Sequence, residues 1–194
     1  MTPIELTHKQ SIVFKEKKRF RVLVAGRRFG KTFLSKVASL EVLTSGENKL
    51  VWYIAPTLKL AKEIFWSQIK DLLIESGYIA KNGIRESELS ITLTNGSKIA
   101  LKGTEDPDSL RGLALDFVIF DEFADCNYDA WESAIRPSLS TTNGRCLFIG
   151  TPKGRNHFFH THSLDGTNPQ YKSFTMTSYD NPIINPREID DARA

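Results

Sequence analysis

Short apolar runs alternate with amphipathic segments along this chain of 194 residues. The apolar runs are rich in β-branched and aromatic residues and have polar, glycine or proline boundaries, which is typical of buried strands. The predicted strands cover residues 20–25, 50–55, 116–120, 145–149 and 171–176. Helical spacing of apolar residues predicts helices at 31–45, 58–76, 128–136 and 156–164. Strands that alternate with helices predict an α/β fold with a mostly parallel central sheet.

The middle of the chain adds a different pattern and two helix-ending signals. Apolar positions alternate in 90–94 and in 97–101, on either side of Asn95-Gly96. An Asn-Gly pair favours a two-residue turn with positive φ at both central residues, so the sequence predicts an added antiparallel hairpin. Gly77 predicts the end of helix 58–76, and Pro137 predicts that helix 128–136 ends before it.

Composition bounds the class of protein. Apolar residues make up 40% of the chain and charged residues 25%, which suits one globular domain. No run approaches the roughly 18 apolar residues of a membrane-spanning helix. Only Cys126 and Cys146 occur, without Cys-x-x-Cys spacing, so neither a disulfide framework nor a zinc knuckle is expected. His157 and His160 lack a carboxylate or cysteine at ligand spacing, so a zinc site is not expected there.

The net charge is only +3, but basic residues are concentrated in one part of the chain. Nine lysine or arginine residues lie between Lys9 and Lys31, against one acidic residue, Glu16. A cluster this dense is a candidate anion site. For residues 15–19 alone, a solvated basic surface is the simpler interpretation, whereas 27–31 belongs to a more specific pattern.

A phosphate-binding loop is predicted between strand 20–25 and helix 31–45. Residues 25–32 are Ala-Gly-Arg-Arg-Phe-Gly-Lys-Thr, which departs from G-x4-G-K-[ST] only by alanine at the first position. In such a loop, successive N–H groups surround the phosphates and the helix dipole adds to binding. Lys31 would reach the β- and γ-phosphates, and Thr32 would offer its hydroxyl to Mg²⁺. The predicted nucleotide-binding residues in this loop are Ala25, Gly26, Arg27, Arg28, Phe29, Gly30, Lys31 and Thr32.

Two adjacent carboxylates, Asp121 and Glu122, follow the apolar strand 116–120. At the carboxyl end of a parallel sheet, Asp121 would hold Mg²⁺ opposite Thr32. Glu122 would polarise a water molecule as a general base, which favours hydrolysis over transfer to a substrate hydroxyl. The pair alone is a weak indication of a catalytic site, and the phosphate-binding loop earlier in the chain strengthens that interpretation.

The next strand, 145–149, ends in Gly150, Thr151 and Pro152. If this strand lies beside the acidic strand, Thr151 would contact the γ-phosphate or the attacking water and report its loss to the rest of the protein. On this basis we assign these three residues a coupling role. An ordinary turn is the alternative interpretation of the tripeptide.

Together these residues resemble the ATPase domain of the large terminase subunit, the DNA-packaging motor of tailed bacteriophages, from about Pro3 to Asn185. Further matching segments are 52–57, 109–112, 130–137 and 150–154. The resemblance implies a P-loop NTPase of the ASCE, RecA-like type with ATP and Mg²⁺ as cofactors. It implies that Gln10 bonds the adenine and that Arg27 is the family's additional loop arginine. It also implies that Arg136 is supplied to the ATP of a neighbouring subunit, so Arg27, Arg136 and Glu122 are the expected catalytic residues.

The resemblance also implies a domain organisation. Residues 1–180 are expected to form the ATPase domain. Residues 181–194, where Asn185-Pro186 resembles a helix start, are expected to begin the linker to a C-terminal nuclease domain for which the chain has no room. Nuclease activity is therefore not expected in this chain.

The implied function is ATP-driven translocation of double-stranded DNA into a procapsid. The implied partners are the portal protein, the small terminase subunit and further copies of the chain in a ring. The isolated chain is expected to be a monomer, without membrane contact, and the protein is expected in the host cytoplasm. DNA contact is expected through phosphates, with Lys102 and Arg111 as candidates, because a translocating motor must bind any sequence. Arg28 either pairs with an acid such as Glu122 or faces solvent.

Two other classes of function stay open at this point. A helicase-like ATPase would need a second RecA-like lobe, for which the chain has no room. A nucleotide-binding switch or kinase-like transferase is disfavoured by Glu122 and not excluded by it.

Overall fold

The computed structural model describes residues 5–182, which form one eight-stranded sheet with helices on both faces. The strands are β1 (Phe20–Ala25), β2 (Leu50–Ala55), β3 (Ile79–Arg85), β4 (Ser90–Leu93), β5 (Lys98–Gly103), β6 (Phe117–Phe120), β7 (Arg145–Gly150) and β8 (Tyr171–Met176). Their order across the sheet is β3-β4-β5-β2-β6-β7-β1-β8. The predicted α/β fold is confirmed, and the predicted bounds of β1, β2 and β8 are the observed ones.

Parallel pairing dominates the sheet. The pairs β5–β2, β2–β6, β6–β7, β7–β1 and β1–β8 are parallel, whereas β3–β4 and β4–β5 are antiparallel. The acidic strand β6 therefore lies between β2 and β7, and β1 lies on the other side of β7. Because neighbouring parallel strands end on the same side of a sheet, the segments that follow β1, β6 and β7 meet there.

Helices cover both faces of the sheet. They are α1 (His8–Lys15), α2 (Lys31–Thr44), α3 (Leu58–Ala61), α4 (Ser67–Ser76), α5 (Arg136–Ser138) and α6 (His157–His162). Buried residues of α1, α2, α3 and α4 form one apolar core with one face of the sheet. The segment 130–139 and α6 form a second core with the other face, in which Trp131 packs against Phe20, Phe120 and Phe148. Within residues 5–182, no helix is long and apolar enough to cross a membrane.

Two predicted helices contain wide π-helical turns. In the helix 58–76, the turn Lys62–Trp66 joins α3 to α4, and Gly77 ends the helix with φ 71° as predicted. The prediction that helix 128–136 ends before Pro137 is wrong, because α5 includes that proline. The π-helical turn Ala130–Ile135 precedes it. A wider turn moves the preceding carbonyls away from the proline ring, so the helix continues.

The antiparallel end of the sheet is larger than predicted. β3 was not predicted, because Lys81, Asn82 and Gly83 break its apolar alternation, and its pairing with β4 shifts register between Ile79 and Ile84. The hairpin of β4 and β5 is confirmed.

The hairpin turn differs from the expected two-residue form. Gly96 has φ 78°, whereas Asn95 does not adopt the left-handed conformation. The observed loop of three residues, closed by the bond from the Leu93 N–H to the Ser97 carbonyl, needs only one left-handed position. The Asn95 amide donates to the carbonyls of Leu43 and Gly46 at 2.8 Å each, which ties the turn to the end of α2.

One member of the predicted basic cluster is a core residue. Arg21 on β1 is 2% exposed and donates to the carbonyls of Val13 and Phe14, at the end of α1. Burial, and then the charge of Arg145, lowers its pKa to about 10. Arg21 thus joins α1 to the sheet and is not part of an exposed anion site. Cys126 and Cys146 are buried free thiols.

Candidate active site

A cavity of about 300 Å³ lies at the carboxyl end of β1 and β6. It is lined by Arg27, Arg28, Phe29, Gly30, Lys31, Thr32, Ile64, Asp121 and Glu122. The structure therefore brings together the phosphate-binding loop and the acidic pair, which are far apart in the sequence. Thr32 and Asp121, the two predicted metal-binding residues, line the same cavity.

The loop from Gly26 to Gly30 has the backbone form of an anion-binding concavity. Arg28 and Gly30 adopt positive φ, at 63° and 94°, and α2 begins immediately afterwards at Lys31. Alternation of left-handed and ordinary residues makes successive N–H groups converge, and the helix start adds a positive partial charge. Arg28 is a non-glycine residue in a conformation that costs about 1 kcal/mol or more, so the surrounding contacts must maintain it.

Those contacts come from three side chains outside the loop. Ser178 Oγ donates to the carbonyl of Arg27 at 2.7 Å, and Asn181 Nδ2 donates to the carbonyl of Arg28 at 2.6 Å. Gln10 Nε2 donates to the carbonyl of Phe29 at 3.2 Å. These bonds from outside hold three carbonyls of the loop in place. The N–H groups of Gly26 and Phe29 donate to the carbonyls of Met176 and Gly26, so a phosphate would bind the other N–H groups of the loop. None of these contacts was predicted, because each joins the loop to a residue that is distant in the sequence.

Gln10 is positioned differently from the sequence-based expectation. Its side chain is 3% exposed, and its Oε1 accepts the N–H of Thr7 at 3.0 Å in a capping box that begins α1. Both ends of the amide are thus engaged with α1 and the loop. Contact between Gln10 and an adenine stays a prediction.

Lys31 and Phe29 contribute to the loop in different ways. The Lys31 ammonium donates to the carbonyls of Ala25 and Gly26 at 3.2 and 3.4 Å, so it folds over the loop beside the cavity. The Phe29 side chain is 1% exposed and packs in the apolar core, so it is not available to a nucleotide. Ala25 is fully buried, which fits a small residue at the first position of the loop.

Asp121 is buried, and protein groups donate to both of its carboxylate oxygens. Oδ1 accepts the N–H of Glu122 at 2.8 Å, and Oδ2 accepts the hydroxyl of Tyr53. Burial, together with the charge of Glu122, raises the pKa of Asp121, while the Tyr53 bond opposes that rise. Sequence reasoning missed Tyr53. Its signal was a tyrosine inside the apolar strand 50–55, next to the acidic strand.

Glu122 lies between the acidic strand and the predicted coupling segment. Its backbone is left-handed, with φ 46° and ψ 47°, which turns the chain sharply after Asp121. Its Oε2 accepts the hydroxyl of Thr151 at 3.2 Å. A Cβ at Gly150 would lie 3.3 Å from the Phe123 nitrogen, so glycine lets the two strand ends approach. Pro152 lines a separate cavity beside α6.

Sequence comparison identifies the family. Residues 22–182 match the family described as "Terminase large subunit, T4likevirus-type, N-terminal". The chain belongs to the large terminase family. It is 36% identical over 181 residues to the large subunit of Escherichia phage T5, covering 90% of this chain and 40% of that protein. With the large subunit of Thermus phage G20c it shares 28% over 204 residues, covering 89% and 42%. The chain thus spans about two fifths of the length of these relatives.

Solved terminase structures share the fold. The ATPase domain of the Thermus phage P74-26 large terminase superposes with a TM-score of 0.85 at 26% identity, covering 97% of this chain and 86% of that one. The large terminase of bacteriophage HK97 gives a TM-score of 0.72 at 16% identity, covering 90% and 40%.

The arginines that the terminase resemblance singled out are all exposed. Arg27 and Arg28 line the cavity. Of the two interpretations of Arg28, its exposed position agrees with a solvent-facing side chain. Arg136 lies in α5 on the opposite face of the sheet from α2 and does not belong to the cavity lining. Its action on the ATP of another subunit stays a prediction.

Lys102 and Arg111, the two candidate DNA-binding residues, lie near one groove. Lys102 on β5 lines this groove of about 390 Å³ together with Ser109 and Leu110, directly before Arg111. The Lys102 ammonium lies 5.2 Å from the centre of the Trp52 ring, and Arg111 pairs with Asp108 at 3.1 Å. DNA contact by either residue stays a prediction.

The histidines of α6 make ordinary protein contacts. His157 Nε2 lies 2.6 Å from the Phe123 carbonyl oxygen, and His162 Nε2 lies 3.1 Å from Thr175 Oγ1. His160 is exposed. Among the residues that the structure describes, no group of three histidine, cysteine or acidic side chains is arranged to hold a metal ion.

Proposed function

We propose that this chain binds Mg-ATP and hydrolyses its γ-phosphate as the ATPase domain of a large terminase. The single observation that carries the proposal is the shared cavity lined by Lys31, Thr32, Asp121 and Glu122. Each supplies a different requirement of phosphoryl transfer: a cation for the phosphates, a hydroxyl and a carboxylate for Mg²⁺, and a base for water. Membership of the large terminase family supports the same assignment.

The residues present fit Mg²⁺. This ion prefers oxygen ligands and keeps several of its waters, and the cavity offers the Thr32 hydroxyl and the buried Asp121 carboxylate. Bound there, Mg²⁺ would neutralise charge on the phosphates. Thr32 and Asp121 would hold it directly or through water.

The chain's own groups account for binding and for proton transfer. The N–H groups of the loop and the α2 start would receive the phosphates, and the Lys31 ammonium would exchange its two loop carbonyls for phosphate oxygens. Glu122 would accept the proton of a water molecule, with Thr151 holding its carboxylate in place. Arg27, exposed at the cavity, would stabilise the charge that spreads over the γ-phosphoryl oxygens.

We infer a coupling route from the same contacts. Because Thr151 bonds the carboxylate of Glu122, a change at the terminal phosphate would reach the end of β7 and the segment Gly150, Thr151 and Pro152. We propose that this movement serves translocation of double-stranded DNA into a procapsid in the host cytoplasm, with Lys102 and Arg111 on DNA phosphates. The proposed partners are further copies of the chain in a ring, the portal protein and the small terminase subunit.

The helicase-like alternative is not favoured. The matched family and the matched solved structures are large terminases, and residues 22–182 account for most of the chain. A kinase-like transferase is disfavoured by Glu122, which lines the cavity beside Asp121 as a hydrolytic base would.

Glu122→Gln tests the proposed hydrolysis. The amide keeps the size of the side chain and removes the base, so turnover should fall about 100-fold or more while ATP still binds. Phosphate release and the binding of fluorescent N-methylanthraniloyl-ATP measure the two effects separately. Glu63→Gln, on an exposed face of the turn Lys62–Trp66, is the matched control and should leave both unchanged. Unchanged turnover in Glu122→Gln would contradict the assigned base.

A further inference from the structure

Tyr53 is a buried ionisable residue to which the proposed mechanism assigns no role. It lies on β2, immediately beside the acidic strand β6, and is fully buried. Its hydroxyl donates to Oδ2 of Asp121. Burial, and then the charge of Asp121, raises the pKa of Tyr53 well above its ordinary value. Tyr53 therefore remains a hydrogen-bond donor throughout the physiological pH range.

The tyrosine ring is itself fixed by packing. It stacks on the ring of Phe65, with 3.9 Å between ring centres and 4° between ring planes. Phe65 belongs to the π-helical turn Lys62–Trp66, and its neighbour Ile64 lines the cavity. π-Helical turns are frequent at functional sites. Here the turn supplies the surface against which the Tyr53 ring is held.

The two bonds to Asp121 fix the orientation of its carboxylate. A carboxylate has about four lone-pair positions, and Tyr53 and the Glu122 N–H occupy one on each oxygen. The remaining lone pairs are then directed by the protein, so the carboxylate cannot rotate freely in the cavity. Groups that orient a metal-binding side chain in this way typically change metal affinity 10- to 100-fold when removed.

We infer that Tyr53 is a positioning residue that orients Asp121 for Mg²⁺ and thereby sets the metal dependence of nucleotide binding. The inference rests on the proposed function, because it assumes that Asp121 holds Mg²⁺. It assigns no chemical step to Tyr53. It concerns the contribution of the metal to binding, separately from the contribution of the phosphate-binding loop.

Tyr53→Phe removes only the hydroxyl and keeps the ring that stacks on Phe65. The probe is N-methylanthraniloyl-ADP, titrated with Mg²⁺ and, separately, in EDTA. The Mg²⁺ concentration for half-maximal binding should rise about tenfold or more, whereas binding in EDTA should stay the same. Tyr171→Phe, a buried tyrosine on β8, is the matched control and should behave as the unsubstituted chain.

A second test, in the Asp121→Asn variant, does not depend on the stability of Tyr53→Phe alone. In Asp121→Asn, adding Tyr53→Phe should change the Mg²⁺ requirement less than about twofold, because the tyrosine acts through the carboxylate. Mn²⁺ binding followed by electron paramagnetic resonance should give the same ranking of variants in the presence of ADP.

The outcomes separate this inference from the proposed function. If the unsubstituted chain binds the nucleotide with no Mg²⁺ dependence, both are overturned. If it shows that dependence and Tyr53→Phe does not alter it, only the role of Tyr53 is overturned. An equal loss of binding with Mg²⁺ and in EDTA would show that Tyr53 supports the whole pocket and would also overturn the inference.

Discussion

Lys31 shows how one side chain can be prepared for a charged ligand. Its ammonium already lies beside the loop, bonded to the carbonyls of Ala25 and Gly26. A phosphate entering the cavity would replace two neutral acceptors by anionic ones, which adds attraction between opposite charges to bonds whose donor is already charged. The side chain therefore needs only a short movement to bind.

Lys31→Ala should remove this contribution. Loss of two charge-assisted bonds should lower kcat/KM for ATP about 100-fold or more without unfolding the chain, since the ammonium lies outside the apolar core. Lys36→Ala, on the same helix, is the control and should keep normal turnover. Turnover and circular dichroism measure the two properties, and normal turnover of Lys31→Ala would refute the loop assignment.

At the scale of single residues, the sequence indicated the candidate nucleotide-binding groups and missed the groups that support them. Lys31, Thr32, Asp121 and Glu122 lie in short patterns whose chemistry is recognisable, and they line one cavity. Tyr53 supports that cavity from another strand, and such a contact depends on strand order. The local signal is a tyrosine within an apolar strand, and only the strand order shows that it meets Asp121.

Among the elements, the loop from Gly26 to Gly30 depends on segments distant in the chain. Ser178 and Asn181, which follow β8, hold two of its carbonyls, and Gln10 of α1 holds a third. Residues from before and after the loop in the sequence thus stabilise it. Its conformation depends on contacts with α1 and with the segment that follows β8.

Asn181→Ala should weaken this support. One lost side-chain bond to the Arg28 carbonyl corresponds to about 1 kcal/mol, so ADP affinity should fall about two- to tenfold. Hydrogen exchange of the loop amides should accelerate at the same time. Asn168→Ala is the control, because the Oδ1 of Asn168 accepts the N–H of Gln170 and so makes a local contact. Unchanged exchange in the loop would argue against the support.

The predictability of each element followed its composition. β1, β2 and β7 are mainly apolar, buried runs, and this composition identifies them. β8 mixes apolar and polar residues, and only its Tyr171 is buried. β3 carries Lys81, Asn82 and Gly83, and only its pairing with β4 makes it a strand. The π-helical turns at Lys62–Trp66 and Ala130–Ile135 were not predicted either, because their apolar spacing is close to that of an ordinary helix.

At the scale of the whole molecule, the position of Arg136 bears on assembly. It is exposed in α5, on the face of the sheet opposite α2, and is separate from the cavity of its own chain. An arginine that stabilises phosphoryl transfer contributes about 10³ to 10⁵ in rate. We predict that it acts on the ATP of a neighbouring subunit.

Mixing two inactive variants tests this arrangement. Arg136→Ala and Lys31→Ala subunits should each lose turnover, and a mixture should regain part of it because some interfaces combine an intact loop with an intact arginine. Phosphate release measures recovery, and light scattering verifies assembly. Replacing the Lys31→Ala subunit by the double variant removes every intact combination and should give no recovery. An assembled but inactive first mixture would contradict action between subunits.

The irregular edge strand β3 also affects how closely packed copies of this chain contact each other. A lateral strand with free backbone groups is a template for pairing with another molecule and so for aggregation. In β3 the register shift, the exposed charge of Lys81 and the left-handed Asn82 interrupt that template. Subunits that meet at this edge would therefore contact each other through side chains and would not join their sheets through β3, which leaves such contacts free to separate and form again.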